Sequence, residues 1–215
     1  MQKKRIGLLL VLLGVLLVAA AAFLLFHNSR EDVEAGSAAG EALSQVEAVI
    51  SSRAEAPAPD KKGGSTEVPL SPELPTVTID GYDYIGCLEL PVLSIRLPVM
   101  SEWDYDRLKI APCRQFGSSR TDDLVIAAHN YTAHFGRLGE MSVGDLVTFT
   151  DMDGIVNTYA VRAIDRLAPS EVERVENSGY DLVLYTCNYD SSVRITLFCS
   201  RTEPSEDVAP LSEAE

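Results

Sequence analysis

The segment LVLYTC at residues 182–187 consists of aliphatic, aromatic and β-branched residues, which favour β-strands, and it ends in a cysteine. A polar loop follows, and Arg194 then opens a second strand-like run, RITLFC. Similar short runs recur between residues 84 and 163, separated by glycine, proline and polar turn residues. Asp153-Gly154, a frequent hairpin turn, separates two of them. The pattern predicts a β-rich domain over residues 76–202.

The predicted strands of this domain are short and its predicted helices are few. Strands are predicted at residues 84–90, 93–97, 124–129, 146–150, 156–163, 181–187 and 194–199. Helical character is confined to stretches around residues 103–109 and 133–141. Many short strands with few helices indicate an all-β fold, either a barrel or a sandwich.

The N-terminal part of the chain contains an apolar block, residues 6–26, which carries no charged side chain and follows three basic residues. As a helix rising about 1.5 Å per residue, the block would span roughly 30 Å, the thickness of a bilayer core. A cleavable signal peptide would have a shorter apolar region. Here the apolar stretch continues past the four alanines at 19–22, where cleavage could occur. Residues 1–27 are therefore predicted to be an uncleaved single-pass membrane anchor with a cytoplasmic start, which leaves the rest of the chain extracellular.

The segments on either side of the predicted β-domain have the composition of linkers. Residues 28–75 are rich in Ala, Glu, Ser and Pro and predict an extracellular stalk, in which Leu43, Val46 and Ile50 recur at the spacing of a short helix. Residues 203–215 form an acidic stretch with Pro and Ser, predicted to be a disordered tail. The net charge of −14 argues against nucleic acid as a partner.

Three side chains at the edges of predicted strands could carry chemistry. His129 closes the apolar strand 124–129, Cys187 closes its own strand, and Arg194 opens the next one. If the loop between them is tight, the guanidinium lies near the thiol, and a nearby cation makes cysteine more nucleophilic. Each residue alone has an ordinary alternative: a structural histidine, a buried cysteine or a surface ion pair. The other histidine of the domain, His134, is interpreted as a solvated residue of the helical stretch 133–141.

The remaining cysteines are Cys87, Cys113 and Cys199, and in an exported domain they could form disulfides. Disulfide frameworks belong mainly to domains too small to build a core, and this domain is larger. Because Cys187 is assigned to chemistry, an odd number remains, and free thiols are predicted.

Several of these stretches resemble one known family, the sortases. Residues 183–187, VLYTC, with Arg194 a short loop later, resemble the sortase signature Thr-Leu-x-Thr-Cys followed by an arginine. Ala128-His129-Asn130 resembles the stretch around the sortase histidine, and residues 84–99 are similar to the first strands of the family. The likeness covers nearly all of residues 76–202 in the order His, Cys, Arg. Val183 departs from the signature, and the subclass stays open.

The resemblance implies a closed barrel of about eight strands and a cysteine transpeptidase that works at the outer face of a bacterial membrane. Cys187 would attack a carbonyl within a Leu-Pro-x-Thr-Gly-like sorting signal and form a thioacyl enzyme. His129 would protonate the leaving amine and deprotonate the incoming one, and Arg194 would bind the substrate backbone or the oxyanion. The implied partners are proteins with a C-terminal sorting signal and an amine from a peptidoglycan precursor or another protein. Surface proteins would thereby be joined to the cell wall or to each other.

Two other classes stay open, and no cofactor is predicted. A membrane-tethered β-domain for adhesion would use Cys187 as a core residue. An L,D-transpeptidase-like cell-wall enzyme fits less well, because its nucleophile region resembles Ser-His-Gly-Cys-x-Arg. Glu171, Glu173 and Glu176 could hold calcium, as in some sortases, but a solvated acidic helix face is the simpler interpretation.

Overall fold

The computed structural model describes residues 2–55, 70–187 and 193–202, with side chains for residues 6–54, 70–186 and 193–202. The helices are α1 (Gln2–Glu55) and α2 (Val172–Glu176), with three short 3-10 turns at Pro91–Leu93, Arg107–Lys109 and Leu138–Glu140. The strands are β1 (Val77–Ile79), β2 (Tyr82–Leu90), β3 (Ile95–Met100), β4 (Cys113–Phe116), β5 (Leu124–His129), β6 (Leu146–Asp151), β7 (Val156–Leu167), β8 (Leu182–Cys187) and β9 (Arg194–Arg201).

The strands form one sheet in the order β1-β2-β3-β4-β5-β8-β9-β7-β6, and β6 pairs back onto β2. This last pairing closes eight strands into a barrel and leaves the three-residue β1 outside the ring. The β3–β4 and β5–β8 pairs are parallel and the others antiparallel. The predicted all-β closed barrel is confirmed. Strands β1 and β4 were missed because three or four residues are too few to show the alternation of a strand.

The apolar runs of β5 and β8 are continuous because both faces of these strands are buried. Leu124, Ile126 and Ala128 point to the barrel interior, where they join Leu182 and Leu184 in one core cluster. The alternate residues of the same strands belong to a second cluster on the outer face. Each fully buried aliphatic side chain contributes roughly 1.5–3 kcal/mol to folding, so both faces hold this part of the sheet in place.

Helix α1 continues far beyond the predicted end of the anchor at residue 27. Its residues 6–31 are exposed, whereas Ala35, Ala39, Ala42 and Val46 are buried at helical spacing against the barrel. The structure thus differs from the predicted stalk, because small side chains on one face let the helix lie close to the sheet. Residues 56–69 of that stalk and the predicted tail 203–215 lie outside the described residues. Helix α1 contains a stretch long and apolar enough to cross a membrane.

Candidate active site

The register between β5 and β8 brings two of the predicted site residues to neighbouring positions. These parallel strands pair from Leu124 with Leu182 up to His129 with Cys187. Neighbouring strands lie about 4.8 Å apart, so the backbones of His129 and Cys187 are adjacent although the residues are far apart in sequence. Both strands end at this point, which defines the His129 end of the barrel.

Arg194 begins β9 at the same end of the barrel. Strands β8 and β9 are antiparallel, with Tyr185 opposite Thr196, so two further steps along this register bring Arg194 level with Cys187. The Ile195 N–H donates to the Thr186 hydroxyl over 3.2 Å, which keeps the two strands together beyond the last ladder pair. The side chain of Cys187 and residues 188–192 lie outside the described part of the chain.

The guanidinium of Arg194 is held by an aromatic ring. Its central carbon lies 5.3 Å from the ring centroid of Tyr185, a distance typical of a cation–π contact. The Tyr185 hydroxyl in turn donates to Gln115 Oε1 over 2.5 Å. Because side chains alternate along a strand, positions 185 and 187 share one face of β8. The contact therefore keeps the cation on the face of the sheet to which position 187 belongs.

His129 is more enclosed than a strand-end position suggests. Only 2% of its surface is exposed, and the ring lies 5.0 Å from the ring of Tyr131, tilted by 56°. Its carbonyl accepts a hydrogen bond from the Phe135 N–H over 3.1 Å. His129 at the end of β5 is therefore covered by the segment that follows it.

The segment at residues 130–141 folds back over the His129 end. Gly136 is required at its tightest point, because a Cβ there would lie 2.4 Å from the Asn130 carbonyl oxygen. Farther along, Arg137 donates to the Leu93 carbonyl over 3.0 Å. A Cβ at Gly139 would lie 3.1 Å from Ile195 Cδ1, so the segment also touches the start of β9.

His134 is buried, and its interpretation as a solvated residue is wrong. None of its surface is exposed, and by hydrogen-bond geometry neither ring nitrogen has a partner within the described part of the chain. Burial lowers the pKa of the imidazole to about 4, although the nearby carbonyls of Ala35 and Ile110 favour the protonated ring. The error arose because the segment is mostly turn rather than helix and because α1 covers it, which its own sequence does not reveal.

Among the described residues, the thiols of Cys87 and Cys199 are free, as predicted, and both are buried, as is Cys113. Burial raises the pKa of the Cys199 thiol to about 12 and also raises that of Cys87. Such thiols carry almost no thiolate near neutral pH and are poor nucleophiles. Cys87 and Cys199 therefore fit structural roles in the core, and Cys113 is buried there as well.

Of the three glutamates considered for calcium, Glu171 has partners within the protein, whereas Glu173 and Glu176 are exposed. Glu171 accepts a hydrogen bond from the Ala168 N–H over 2.6 Å and lies 3.7 Å from Arg174. Within the described residues, no group of three or more His, Cys, Asp or Glu side chains could hold a metal ion.

Comparison with known proteins places this barrel in one family. The family model described as Sortase domain matches residues 88–202, which is more than half of the chain. No curated protein matches the chain significantly. Among solved structures, sortase A from Corynebacterium diphtheriae aligns with a TM-score of 0.51 at 16% identity, over 87% of this chain and 98% of that one.

Two further solved structures share the fold. Sortase C1 from Streptococcus suis aligns with a TM-score of 0.50 at 19% identity, over 59% of this chain and 76% of that one. Sortase C1 from Streptococcus agalactiae aligns with a TM-score of 0.50 at 19% identity, over 59% and 72% respectively. Sequence identities this low show only that the fold is shared, whereas the family model matches the sequence itself. The chain belongs to the sortase family.

Proposed function

We propose that the chain is a membrane-anchored cysteine transpeptidase that cleaves a Leu-Pro-x-Thr-Gly-like sorting signal and transfers the acyl part to an amine. The observation that carries the proposal is the pairing of His129 with Cys187 across parallel strands, with Arg194 on the next strand at the same end. The order of these residues along the chain also matches the family signature. Adhesion by a tethered β-domain would need no such juxtaposition of a base, a thiol and a cation.

In the proposed reaction, the Cys187 thiolate attacks the carbonyl between Thr and Gly of the signal. The C–N bond breaks, His129 gives its proton to the leaving amine, and a thioester remains on the enzyme. The incoming amine then loses a proton to His129 and attacks the thioester, which releases the thiolate. No net oxidation or reduction occurs, and no cofactor is required.

Arg194 is proposed to stabilise the negative charge that develops on the carbonyl oxygen, or to hold the substrate backbone beside the thiol. Its contact with Tyr185 supports this role, because a guanidinium already fixed in direction loses less freedom when it binds an oxyanion. The enclosure of His129 supports general acid–base catalysis, since proton transfer is efficient where competing water is excluded.

Localisation follows from α1 and is part of the same proposal. The basic residues before the apolar stretch favour a cytoplasmic start, and the barrel would then lie outside the cell. The substrates would be proteins that carry a C-terminal sorting signal, and the acceptor an amine of the cell wall or of another surface protein.

The test uses the full chain in detergent with a fluorogenic sorting-signal peptide and an added amine. Cleavage and the ligated product should both be lost in Cys187→Ala. Cys199→Ala serves as the matched control, because it removes a buried thiol outside the proposed site and should keep activity per folded molecule. Mass spectrometry should detect the thioacyl adduct on the Cys187 peptide. An active Cys187→Ala variant, or an inactive wild-type chain over a broad motif library, would refute the proposal.

A further inference from the structure

Helix α1 touches the segment that follows His129. Asp32 accepts a hydrogen bond from the Ala133 N–H over 3.2 Å. One turn later, a Cβ at Gly36 would lie 3.0 Å from the Cβ of Ala133, so the helix and the segment are in direct contact. Beyond the apolar stretch, Asp32 is the first residue of α1 that is partly buried, so contact with the barrel begins there.

The other end of α1 reaches the opposite end of the barrel. Arg53 donates to the Met152 carbonyl over 3.0 Å and lies 3.8 Å from the Asp153 carboxylate, both in the turn between β6 and β7. Strand β7 ends at Leu167, which pairs with Arg194 at the His129 end. The start of β7, and with it the turn, therefore lies at the far end. Between these contacts, Glu47 forms an ion pair of 2.9 Å with Arg96 on β3.

The direction of α1 fixes which end of the barrel faces the membrane anchor. Followed from Arg53 back to Asp32, the helix runs along the barrel towards the His129 end and leaves it there. The apolar stretch ends at Phe26, and at about 1.5 Å per residue only roughly 9 Å of helix separates it from Asp32.

The junction between anchor and barrel is built as continuous helix. Neither glycine nor proline occurs between Gly14 and Gly36. Arg30 and Glu34 form an ion pair of 2.8 Å, and His27 lies 3.5 Å from Glu31, both at the i,i+4 spacing that supports a helix. Because no residue breaks or kinks this helix, the direction of the membrane span also fixes the orientation of the barrel.

We propose that α1 holds the His129 end of the barrel at the membrane surface, so that this end faces the lipid headgroups and the β6–β7 turn points away from them. The partner of this surface is the bilayer itself. The orientation rests on α1 crossing the membrane, whereas naming the membrane-facing end the catalytic end rests on the proposed function. Because only a short helix separates Phe26 from Asp32, this end of the barrel would reach a substrate carbonyl that lies within roughly 10–20 Å of the bilayer.

The test measures the distances of two labels from the bilayer, independently of activity. The full chain carries Cys187→Ala together with either Val143→Cys or Val156→Cys, at two exposed valines. Val143 precedes β6 at the His129 end, and Val156 begins β7 at the far end. A fluorophore on each introduced thiol is read in lipid vesicles by energy transfer to an acceptor on the headgroups. Position 143 should lie nearer to the bilayer by about 15 Å, from the length and tilt of the intervening strand.

A second variant tests whether α1 sets the orientation of the barrel at the membrane. Ten Gly and Ser residues inserted after Ser29 leave all contacts of α1 with the barrel in place but break the helical junction. The difference between the two labels should then collapse. Equal distances in the uninserted chain, a shorter distance at position 156, or a difference that survives the insertion would each overturn the proposal. Because both labelled chains lack Cys187, the result does not depend on transpeptidation.

Discussion

The buried His134 should make the stability of the barrel depend on pH in a defined direction. Its pKa is about 4 in the folded chain, against an ordinary value of about 6.5. As the pH falls, His134 therefore becomes protonated at a higher pH in the unfolded chain than in the folded chain. The contribution of the neutral His134 ring to the free energy of unfolding is fully present above about pH 6.5. It is lost progressively as the pH falls to about 4.

The size of the effect follows from the shift of the pKa. The difference between the two pKa values corresponds to about 3 kcal/mol of stability, of which about 2 kcal/mol would be lost between pH 8 and pH 5. That loss is a large fraction of the 5–15 kcal/mol typical of a folded domain. His134→Phe removes the titrating group but keeps a flat ring in the cavity, so the variant should lose this part of the pH dependence.

The assay is guanidinium unfolding of the full chain in detergent at pH 8 and pH 5, followed by the fluorescence of Trp103. This residue is the single tryptophan of the chain, and it contacts Tyr105 edge-on with ring centroids 4.9 Å apart. The difference in unfolding free energy between the two pH values should be about 2 kcal/mol larger for the wild type than for His134→Phe. Leu138→Ala is the matched control, because it destabilises the same segment without removing a titrating group. If the wild type and His134→Phe depend equally on pH, His134 is not buried as a neutral ring.

Three further outcomes are expected. His129→Ala should abolish transpeptidation, whereas His134→Phe should keep most of it at neutral pH; equal losses in turnover assays would mean that the roles are misassigned. Arg194→Lys should lower turnover of a sorting-signal peptide by about 10²–10³, because the directed donors of the guanidinium are lost, with little change in melting temperature; near-normal turnover would remove Arg194 from the mechanism. Iodoacetamide should modify Cys187 much faster than the buried Cys87, Cys113 and Cys199, as read by peptide mass spectrometry; uniform slow labelling would favour a core role for Cys187.

The sequence predicted the barrel well where its strands are long enough to show a pattern. The runs ending at His129 and Cys187 and the run beginning at Arg194 all became strands with nearly the expected bounds. Their order around the barrel was not readable from these runs, because register depends on pairing between distant segments. The resemblance to sortases predicted a closed barrel of about eight strands, but not the order of the strands around it.

Three features of the fold and of the site could not be predicted from the sequence for a different reason. The burial of His134 depends on α1, and a histidine in a polar-looking segment gives no sign of a distant helix that covers it. The buried alanines at 35, 39 and 42 resemble any alanine-rich spacer until their common face is seen against the barrel. The contact of Arg194 with Tyr185 is likewise a cross-strand relation that spacing alone does not fix.

The parallel pairing of β5 with β8 also decides when the site can form during folding. His129 is synthesised long before Cys187, and the antiparallel strands β6 and β7 lie between them in the chain. Contacts between segments distant in sequence form slowly, because closing the long intervening loop costs entropy before any pairing stabilises it. The backbones of His129 and Cys187 therefore become neighbours only when the barrel closes. A partly folded chain holds Cys187 without His129 beside it, and under the proposed mechanism it would not yet react with a sorting signal.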